Sequence, residues 1–211
     1  MKKKNILIFG VSGQDGSFLS KYLLSKNYNV FGVTRKKKIL KNHIILGIHK
    51  KVKLRYFEYT NYEKIKLLIL KNNISEVYFF AGQTKPVISN QNFIETLYSN
   101  IIPVYYILDI ILKYKKNIRF FNSSSCEIFS STNNNLKEDS KKDPHTIYGL
   151  SKLVSLEMVK FFREKYKLKS CSGIMFHHES VLREKSFVLK KIINSAKQIS
   201  IKGNKKVKLG N

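Results

Sequence analysis

Three glycines near the start of the chain have the spacing of a nucleotide-binding turn. They belong to the segment Gly10-Val-Ser-Gly13-Gln14-Asp15-Gly16, which follows an apolar run predicted as a strand and opens a predicted helix. Glycines let the chain turn sharply and let a pyrophosphate approach the backbone at a helix N-terminus, where N–H groups and the helix dipole favour negative charge. Glycines also serve ordinary turns, so the strand-to-helix position is what predicts a dinucleotide site.

A second group of residues suited to chemistry begins at Tyr148 and Lys152. Their spacing places both side chains on one face of a predicted helix. A lysine ammonium near a phenol, together with a nicotinamide cation, favours the phenolate and lowers the pKa of the tyrosine toward the working range. The pair follows a predicted strand that ends in hydroxyl groups and one carboxylate, from Asn122 to Glu127. This order of residue types, after a glycine-rich turn, predicts a catalytic group rather than a chance match.

Strand and helix signals alternate between these two groups. Continuous apolar runs predict strands, and apolar residues at helical spacing predict helices. The predicted strands are Asn5–Phe9, Asn29–Thr34, Leu54–Phe57, Val77–Phe80, Ile118–Asn122 and Cys171–Phe176. The predicted helices are Ser17–Lys26, Tyr62–Lys71, Asn92–Lys115 and Ile147–Tyr166. This order predicts the α/β class, with a Rossmann-type doubly wound parallel sheet that binds ligands at the carboxyl ends of its strands.

Two segments fit this alternation poorly. Lys36–Lys53 is rich in lysine and is expected to form a surface excursion, while Ser130–Pro144 is polar and is expected to form a loop. Beyond His177 the strand-helix rhythm is not clear. We therefore expect a nucleotide-binding domain over residues 1–176 and the start of a smaller, truncated substrate-binding region over residues 177–211.

Composition limits the class of protein. The chain has 211 residues, and 40 Lys and Arg against 14 Asp and Glu give a formal charge of +26. A hydrophobic content of 43% excludes general disorder. The basic residues are scattered among Asn and Ile rather than gathered in a patch, so we expect no nucleic-acid partner despite the charge.

Location and metal content follow from the apolar, cysteine and histidine patterns. The most apolar stretch, Ile101–Leu112, contains Pro103 and Asp109 and cannot span a bilayer. The apolar run within the first ten residues is too short for the core of a signal peptide. Cys126 and Cys171 form no Cys-x-x-Cys pair, which favours a reducing compartment. We therefore expect a cytoplasmic protein with no membrane partner, and the five His residues predict no metal site.

The residues after the second predicted strand indicate which dinucleotide is bound. NAD-binding sheets usually place a carboxylate there for the ribose 2′-hydroxyl, whereas this chain has Thr34, Arg35 and Lys36. The planar donor fork of arginine suits a 2′-phosphate. Arg35 therefore favours NADP over NAD, unless it is simply one of many basic surface residues.

Two segments are similar to those of a known family. Gly10–Ser17 is close to a Gly-x-x-Gly-Gln-Asp-Gly-Ser turn, and Phe176–Ser180 is similar to a Phe-Asn-His-Glu-Ser segment. With these motifs, the chain resembles the extended short-chain dehydrogenase/reductases and, within them, the GDP-mannose 4,6-dehydratase family, over essentially all 211 residues. Members of that family continue beyond the stretch that resembles Leu209–Asn211, so the resemblance implies a chain that is short at its C-terminus.

The resemblance implies a reaction and four catalytic roles. GDP-mannose would be converted to GDP-4-keto-6-deoxymannose with NADP as cofactor, feeding GDP-fucose and other deoxyhexose synthesis. Tyr148 would take the proton of the sugar O4 as hydride leaves C4, and Lys152 would hold the cofactor ribose. Ser125 would hydrogen-bond O4. Glu127 would remove the C5 proton and help expel the C6 hydroxyl as water, before hydride returns to C6.

The resemblance, with the glycine turn and Arg35, also gives the expected binding residues. The cofactor contacts are Gly10, Gly13, Gln14, Asp15, Gly16, Arg35, Glu58, Tyr59, Tyr148, Lys152, His178 and Arg183. The substrate contacts are His177, Glu179, Ser180 and Lys191. Family members usually pair through helices that correspond to Asn92–Lys115 and Ile147–Tyr166, so a homo-oligomer is expected.

Two alternatives remain open at this stage. His177 stands where the family has Asn, and Val181-Leu182 stand where Pro and Arg are common, which would suit a dehydratase or epimerase of another nucleotide sugar. The charge of +26 and the short chain would suit an inactive nucleotide-binding module or a basic interaction protein.

Overall fold

The computed structural model describes residues 3–35, 37, 39–82, 92–130, 135–184 and 187–202. The chain divides into two compact units, Met1–Phe176 and His177–Asn211. The strands are β1 (Asn5–Phe9), β2 (Asn29–Thr34), β3 (Lys53–Tyr56), β4 (Ile74–Phe79), β5 (Arg119–Ser125) and β6 (Ser170–Met175). The helices are α1 (Gln14–Ser25), α2 (Lys41–Ile45), α3 (Tyr62–Lys71), α4 (Phe93–Tyr114), α5 (Ile147–Tyr166) and α6 (Val188–Lys202), with a 3-10 turn over Cys126–Ile128.

The strands form one parallel sheet in the order β3-β2-β1-β4-β5-β6. The order reverses between β1 and β4, because the chain first winds outward through β2 and β3 and then returns to the other side of β1. A parallel sheet of this kind leaves a crevice at the carboxyl ends of the two central strands. The predicted Rossmann-type fold is confirmed, and the reversal fixes where a ligand can bind.

Each face of the sheet carries its own apolar core. Alternate residues of β1 point to opposite faces, so Leu7 and Phe9 join one core while Ile6 and Ile8 join the other. The first core is covered by α3, α4 and α5, and the second includes buried residues from α1 and the segment around α2. Burial on both faces explains why these strands are continuous apolar runs in the sequence.

The segment predicted as a surface excursion is partly core. Residues 41–45 form α2, and four side chains of the segment are buried: Leu40, His43, Ile48 and Val52. Lys36 lies outside the described residues. The expectation was wrong because the many lysines around these four positions dilute the apolar signal without changing which side chains face the sheet.

Other differences from the predicted elements are smaller. Helix α1 begins at Gln14 rather than Ser17, because Gly13 ends the turn and the helix continues directly through Gly16. Beyond His177, where no rhythm was evident, Val188–Lys202 is helical. The predicted loop Ser130–Pro144 has neither helix nor strand at its described positions, while its residues 131–134, like the stretch Leu209–Asn211, lie outside them.

Candidate active site

The glycine-rich turn lies at the reversal point of the sheet. Gly10 has φ +76, and a Cβ on it would lie 2.6 Å from the carbonyl carbon of Phe80 and 2.7 Å from the nitrogen of Ala81, just after β4. A Cβ on Gly16 would lie 2.4 Å from the Gly10 carbonyl oxygen. These contacts are to backbone atoms that cannot move aside cheaply. The turn therefore depends on glycine at both positions for its close packing.

Gly13 leaves the N-terminus of α1 accessible, at the place where a phosphate would approach. It is exposed and forms the N-cap of α1 with extended φ and ψ, and no side chain caps the helix. A Cβ there would meet only the Gly10 carbonyl oxygen, at 3.3 Å. Gln14 is buried and Asp15 is half-buried in the first turn of the helix. A helix N-terminus open on its outer side fits the pyrophosphate of a dinucleotide.

Helix α2 holds this turn from the other side. The Asn42 amide donates to the Ser12 carbonyl at 3.0 Å, and His43 Nε2 lies 2.8 Å from the Val11 carbonyl oxygen. Because a carbonyl only accepts, Nε2 carries the hydrogen and donates. Burial lowers the pKa of His43, with the Val11 hydrogen bond opposing that effect. Sequence reasoning missed both residues, since their segment was expected on the surface.

The residues expected near the adenosine lie at the ends of β2 and β3. Arg35 follows β2 with its side chain 58% exposed, and its guanidinium is 3.8 Å from a carboxylate oxygen of Glu95. Tyr59 packs edge-on against Phe9 with ring centroids 5.9 Å apart, and burial raises the pKa of Tyr59 while Arg35 opposes the rise. Glu58 is exposed beside it. Both strands end at the same edge of the sheet as β1, so these side chains lie along the crevice's edge.

Lys152 is a buried cation beneath Tyr148. Its side chain donates to the Ser123 carbonyl at 3.0 Å and lies 5.7 Å from the centre of the Tyr148 ring. The residue is only 2% exposed, and burial lowers the pKa of Lys152 to about 8. The sequence spacing correctly anticipated that these two side chains meet. A desolvated ammonium next to a phenol ring can stabilise negative charge that develops on the phenol oxygen.

Serine side chains allow α5 to lie close to β5 and so position Lys152. Ser124 and Ser155 both donate to the Lys152 carbonyl, at 3.3 and 3.0 Å. The Asn122 amide donates to the Ser155 hydroxyl at 3.4 Å. Buried groups that satisfy one another in this way fix the helix against the strand. The run of small polar residues in β5 thus serves the packing of the helix that carries Tyr148 and Lys152.

Ser125 and Glu127 follow at the carboxyl end of β5. The Glu127 backbone N–H donates to the Ser125 hydroxyl at 3.2 Å, and the Thr146 hydroxyl lies 2.9 Å from Glu127 Oε2. A Cβ on Gly149 would lie 2.3 Å from the Glu127 carbonyl oxygen, so the first turn of α5 is in direct contact with this segment. Glu127 is therefore held against the helix that carries Tyr148. Thr146 was missed, although a threonine directly before an apolar helix is a recognisable N-cap signal.

The remaining predicted residues belong to the second unit. Arg183 Nε lies 3.1 Å from both carboxylate oxygens of Glu179, and its guanidinium carbon is 4.1 Å from the centre of the Phe187 ring. The Ser180 hydroxyl accepts from the Leu182 backbone N–H at 3.1 Å. The other three residues are His177, His178 and Lys191, and they begin this unit or lie on α6. Within the unit, Glu179 and Arg183 form one ion pair.

Membrane-spanning helices and metal-binding clusters are both absent from the residues that the structure describes. None of the helices in that part of the chain is both long and apolar enough to cross a membrane. The same part contains no cluster of three or more His, Cys, Asp or Glu side chains that could hold a metal ion.

Known structures share this fold. The dTDP-glucose 4,6-dehydratase of Bacillus anthracis, solved in complex with NAD, matches with a TM-score of 0.81 and 18% identity over 92% of this chain and 62% of its own. The UDP-glucuronic acid 4-epimerase of Bacillus cereus, solved with UDP-glucuronic acid and NAD, matches with a TM-score of 0.81 and 18% identity over 92% of this chain and 63% of its own. At this identity, the matches establish the architecture of the sheet and helices.

Sequence comparison gives the family. A GDP-mannose 4,6-dehydratase of Drosophila melanogaster is 30% identical over 221 residues, covering 100% of this chain and 56% of the relative. One of Vibrio cholerae serotype O1 is 29% identical over 210 residues, covering 95% of this chain and 56% of the relative. The chain thus spans a little over half the length of these relatives. Because the model of the GDP-mannose 4,6-dehydratase family matches residues 7–211, the chain belongs to that family.

Proposed function

We propose that the chain carries the cofactor-binding and catalytic groups of an NADP-dependent GDP-mannose 4,6-dehydratase. The observation that carries the proposal is the contact of Glu127 with the first turn of the helix that bears Tyr148 and Lys152. Oxidation of a sugar alcohol needs a base for the hydroxyl proton, whereas elimination of water also needs a group that moves the C5 proton. A carboxylate beside the tyrosine helix supplies that second function.

The dinucleotide would be held by the turn from Gly10 to Gly16, with its ribose near Lys152. When bound, the nicotinamide would supply hydride acceptance from C4 of the sugar and hydride return to C6, and the proton that Tyr148 took from O4 would go to C5 and restore the phenolate. Lys152 would donate to ribose hydroxyls. These hydroxyls would take the place of the water molecules that burial keeps away from its ammonium group. Its charge would also stabilise the Tyr148 phenolate, which is the base that receives the O4 proton and becomes a phenol.

The chain's residues would divide the proton transfers between them. Tyr148 accepts the O4 proton, with the Ser125 hydroxyl hydrogen-bonded to O4. The C4 ketone then acidifies the C5 proton, which passes to Glu127. As the C5–H electron pair forms the C5–C6 double bond, the C6–O bond breaks and Glu127 protonates the leaving hydroxyl, giving water. Positioned proton transfer of this kind contributes about 10²–10⁴ in rate.

Arg35 supports NADP as the cofactor. Its exposed guanidinium follows β2, where a carboxylate would repel a 2′-phosphate, and its Glu95 partner at 3.8 Å is exposed to a similar degree. An exposed pair of this kind contributes little, so the guanidinium is available to a phosphate. Calorimetric titration should show that Arg35→Gln loses most of its affinity for NADP and little for NAD. Equal losses for the two cofactors would contradict the assignment.

Turnover tests the whole proposal. Incubation with GDP-mannose and NADP should give a 4-keto-6-deoxy product by mass spectrometry, and Tyr148→Phe should abolish all turnover. Glu127→Gln should still reduce the cofactor while forming no dehydrated product. A folded, cofactor-bound sample that leaves GDP-mannose unchanged would count against the proposal. Parallel incubations with UDP- and dTDP-hexoses would reveal a different sugar, the alternative suggested by His177.

Self-association through α4 and α5 is part of this proposal. Both helices expose large apolar side chains: Tyr98, Tyr105, Val154 and Phe161 are 57%, 42%, 37% and 54% exposed. An apolar surface on two adjacent helices suits a second copy of the chain. Sedimentation velocity should give a dimer, and Phe161→Asp should shift it toward monomer. A monomeric wild-type chain would refute this part.

A further inference from the structure

One hydroxyl connects Glu127 to the start of the catalytic helix. Thr146 is the N-cap of α5, and its Oγ1 accepts the Gly149 backbone N–H at 2.9 Å. The same oxygen lies 2.9 Å from Glu127 Oε2. Both distances are those of good hydrogen bonds, and the second has a charged acceptor. Thr146 therefore contacts the carboxylate while it begins the helix.

The direction of the second hydrogen bond follows from counting protons. A threonine hydroxyl has one hydrogen to give and two lone pairs with which to accept. The Gly149 N–H already donates to Oγ1, and an ionised carboxylate can only accept. The single Thr146 hydrogen therefore points to Glu127 Oε2. In the part of the chain that the structure describes, Glu127 Oε1 has no hydrogen-bond partner.

We propose that Thr146 is a positioning residue that occupies Glu127 Oε2 and leaves Oε1 as the atom that moves the proton. The inference rests on the proposed dehydratase function. The C5–H bond breaks with its proton passing to Oε1, and the electron pair forms the C5–C6 double bond as the C6–O bond breaks. The proton then passes from Oε1 to the leaving hydroxyl, which departs as water and returns Glu127 to its ionised form.

The hydrogen bond between Thr146 and Glu127 also fixes the position of Glu127 relative to Tyr148. Thr146 is two residues before Tyr148, and the close approach of Gly149 to the Glu127 carbonyl leaves little room for the first turn to slide. The base of the oxidation step and the acid/base of the elimination step are thus held by one local contact. Misplacement of a catalytic group by about 1 Å can cost roughly 100-fold in rate.

Three substitutions of Thr146 separate its two hydrogen bonds. Thr146→Ser keeps both bonds. Thr146→Asp keeps the acceptor for Gly149, and so the helix cap, but has no hydrogen to give to Glu127 and places a second negative charge beside it. Thr146→Val loses both. Asn61→Ala is a matched control, because Asn61 caps α3 by accepting the Lys64 N–H at 3.0 Å, as Thr146 caps α5.

The kinetic test follows the two steps separately. With GDP-mannose, Thr146→Asp and Thr146→Val should still reduce the bound cofactor, while dehydrated product falls about 10- to 100-fold, part of the range that positioned proton transfer contributes. Thr146→Ser should rescue product formation to within a few-fold of wild type. Asn61→Ala should lower the unfolding temperature without separating the steps. A Thr146→Asp enzyme that forms product as fast as Thr146→Ser would overturn the inference.

A second measurement needs no turnover. With ¹³C-labelled glutamate, the Glu127 carboxyl resonance can be assigned by its loss in Glu127→Gln. It should shift in Thr146→Asp and Thr146→Val and stay in place in Thr146→Ser. If the resonance has the same chemical shift in all three variants as in the wild type, the hydrogen bond between Thr146 and Glu127 is absent. If the link is present but wild type does not oxidise GDP-mannose, it is the proposed function that fails.

Discussion

Substitution of Gly10 by alanine measures how tightly the nucleotide turn is packed. The residue has φ +76, where an L side chain costs roughly 1–2 kcal/mol. The new Cβ would lie 2.6 Å from the Phe80 carbonyl carbon and 2.7 Å from the Ala81 nitrogen. Because both are backbone atoms, the turn or the end of β4 must shift, and such overpacking costs about 1–3 kcal/mol. We expect the free energy of unfolding to fall by about 2–5 kcal/mol.

Gly47→Ala is the control for this substitution. Gly47 has φ +68, but a Cβ there would meet nothing within 4 Å. It carries only the cost of the positive φ, and the offset of about 0.4–1 kcal/mol from the less flexible unfolded chain applies equally to both variants. Urea unfolding followed by circular dichroism at one temperature compares the two variants. If Gly10→Ala is no less stable than Gly47→Ala, the crowding at Gly10 is not real and the packing argument for the turn is wrong.

Three further predictions concern buried or capping side chains. Lys152→Met should raise the free energy of unfolding at pH 7, because burial lowers the pKa of Lys152 to about 8 and the folded state must bury a charge. This gain in stability should shrink as the pH rises above about 8, because the folded lysine loses its proton there while the unfolded one keeps it. Urea titrations at two pH values test this, and a gain that does not depend on pH would contradict it. His43→Leu should lessen the loss of stability when the pH falls below the usual histidine pKa. Burial lowers the pKa of His43, so the folded state binds fewer protons at this site than the unfolded state does. Equal acid sensitivity of the variant and the wild type would refute this prediction. Asn61→Ala should cost about 1 kcal/mol in urea unfolding through loss of the α3 cap, and Asn61→Asp should cost less; identical losses would argue against capping.

Much of the architecture could be predicted because the central strands β1, β2 and β4 are buried on both faces. Asn5–Phe9, Asn29–Thr34, Tyr62–Lys71 and Ile147–Tyr166 have the predicted bounds. Strand ends were less predictable: β5 continues to Ser125, but its last three residues are serines, of which Ser124 donates to the backbone of α5. Hydropathy does not identify the end of a strand whose last side chains carry hydroxyl groups.

The candidate site could be anticipated where its residues are close in sequence. The spacing of Tyr148 and Lys152 was sufficient to predict their contact, and the burial of Lys152 then accounts for its lowered pKa. The roles of Asn42, His43 and Thr146 could not be predicted in the same way. Their hydrogen bonds reach residues that are distant along the chain or separated by a loop. Such pairings depend on which elements the fold brings together, which residue spacing does not encode.

The support that α2 gives to the phosphate turn has a consequence for engineering. Two side chains of a lysine-rich stretch hold the Val11 and Ser12 carbonyls, so that stretch is part of the nucleotide pocket although it contains none of its glycines. A chimera that exchanged residues 36–52 for another protein's connection would leave the glycine motif intact and still loosen the pocket. Transplanting the motif together with α2 should retain more of the geometry in a recipient sheet, because the two hydrogen bonds that join the segments are kept.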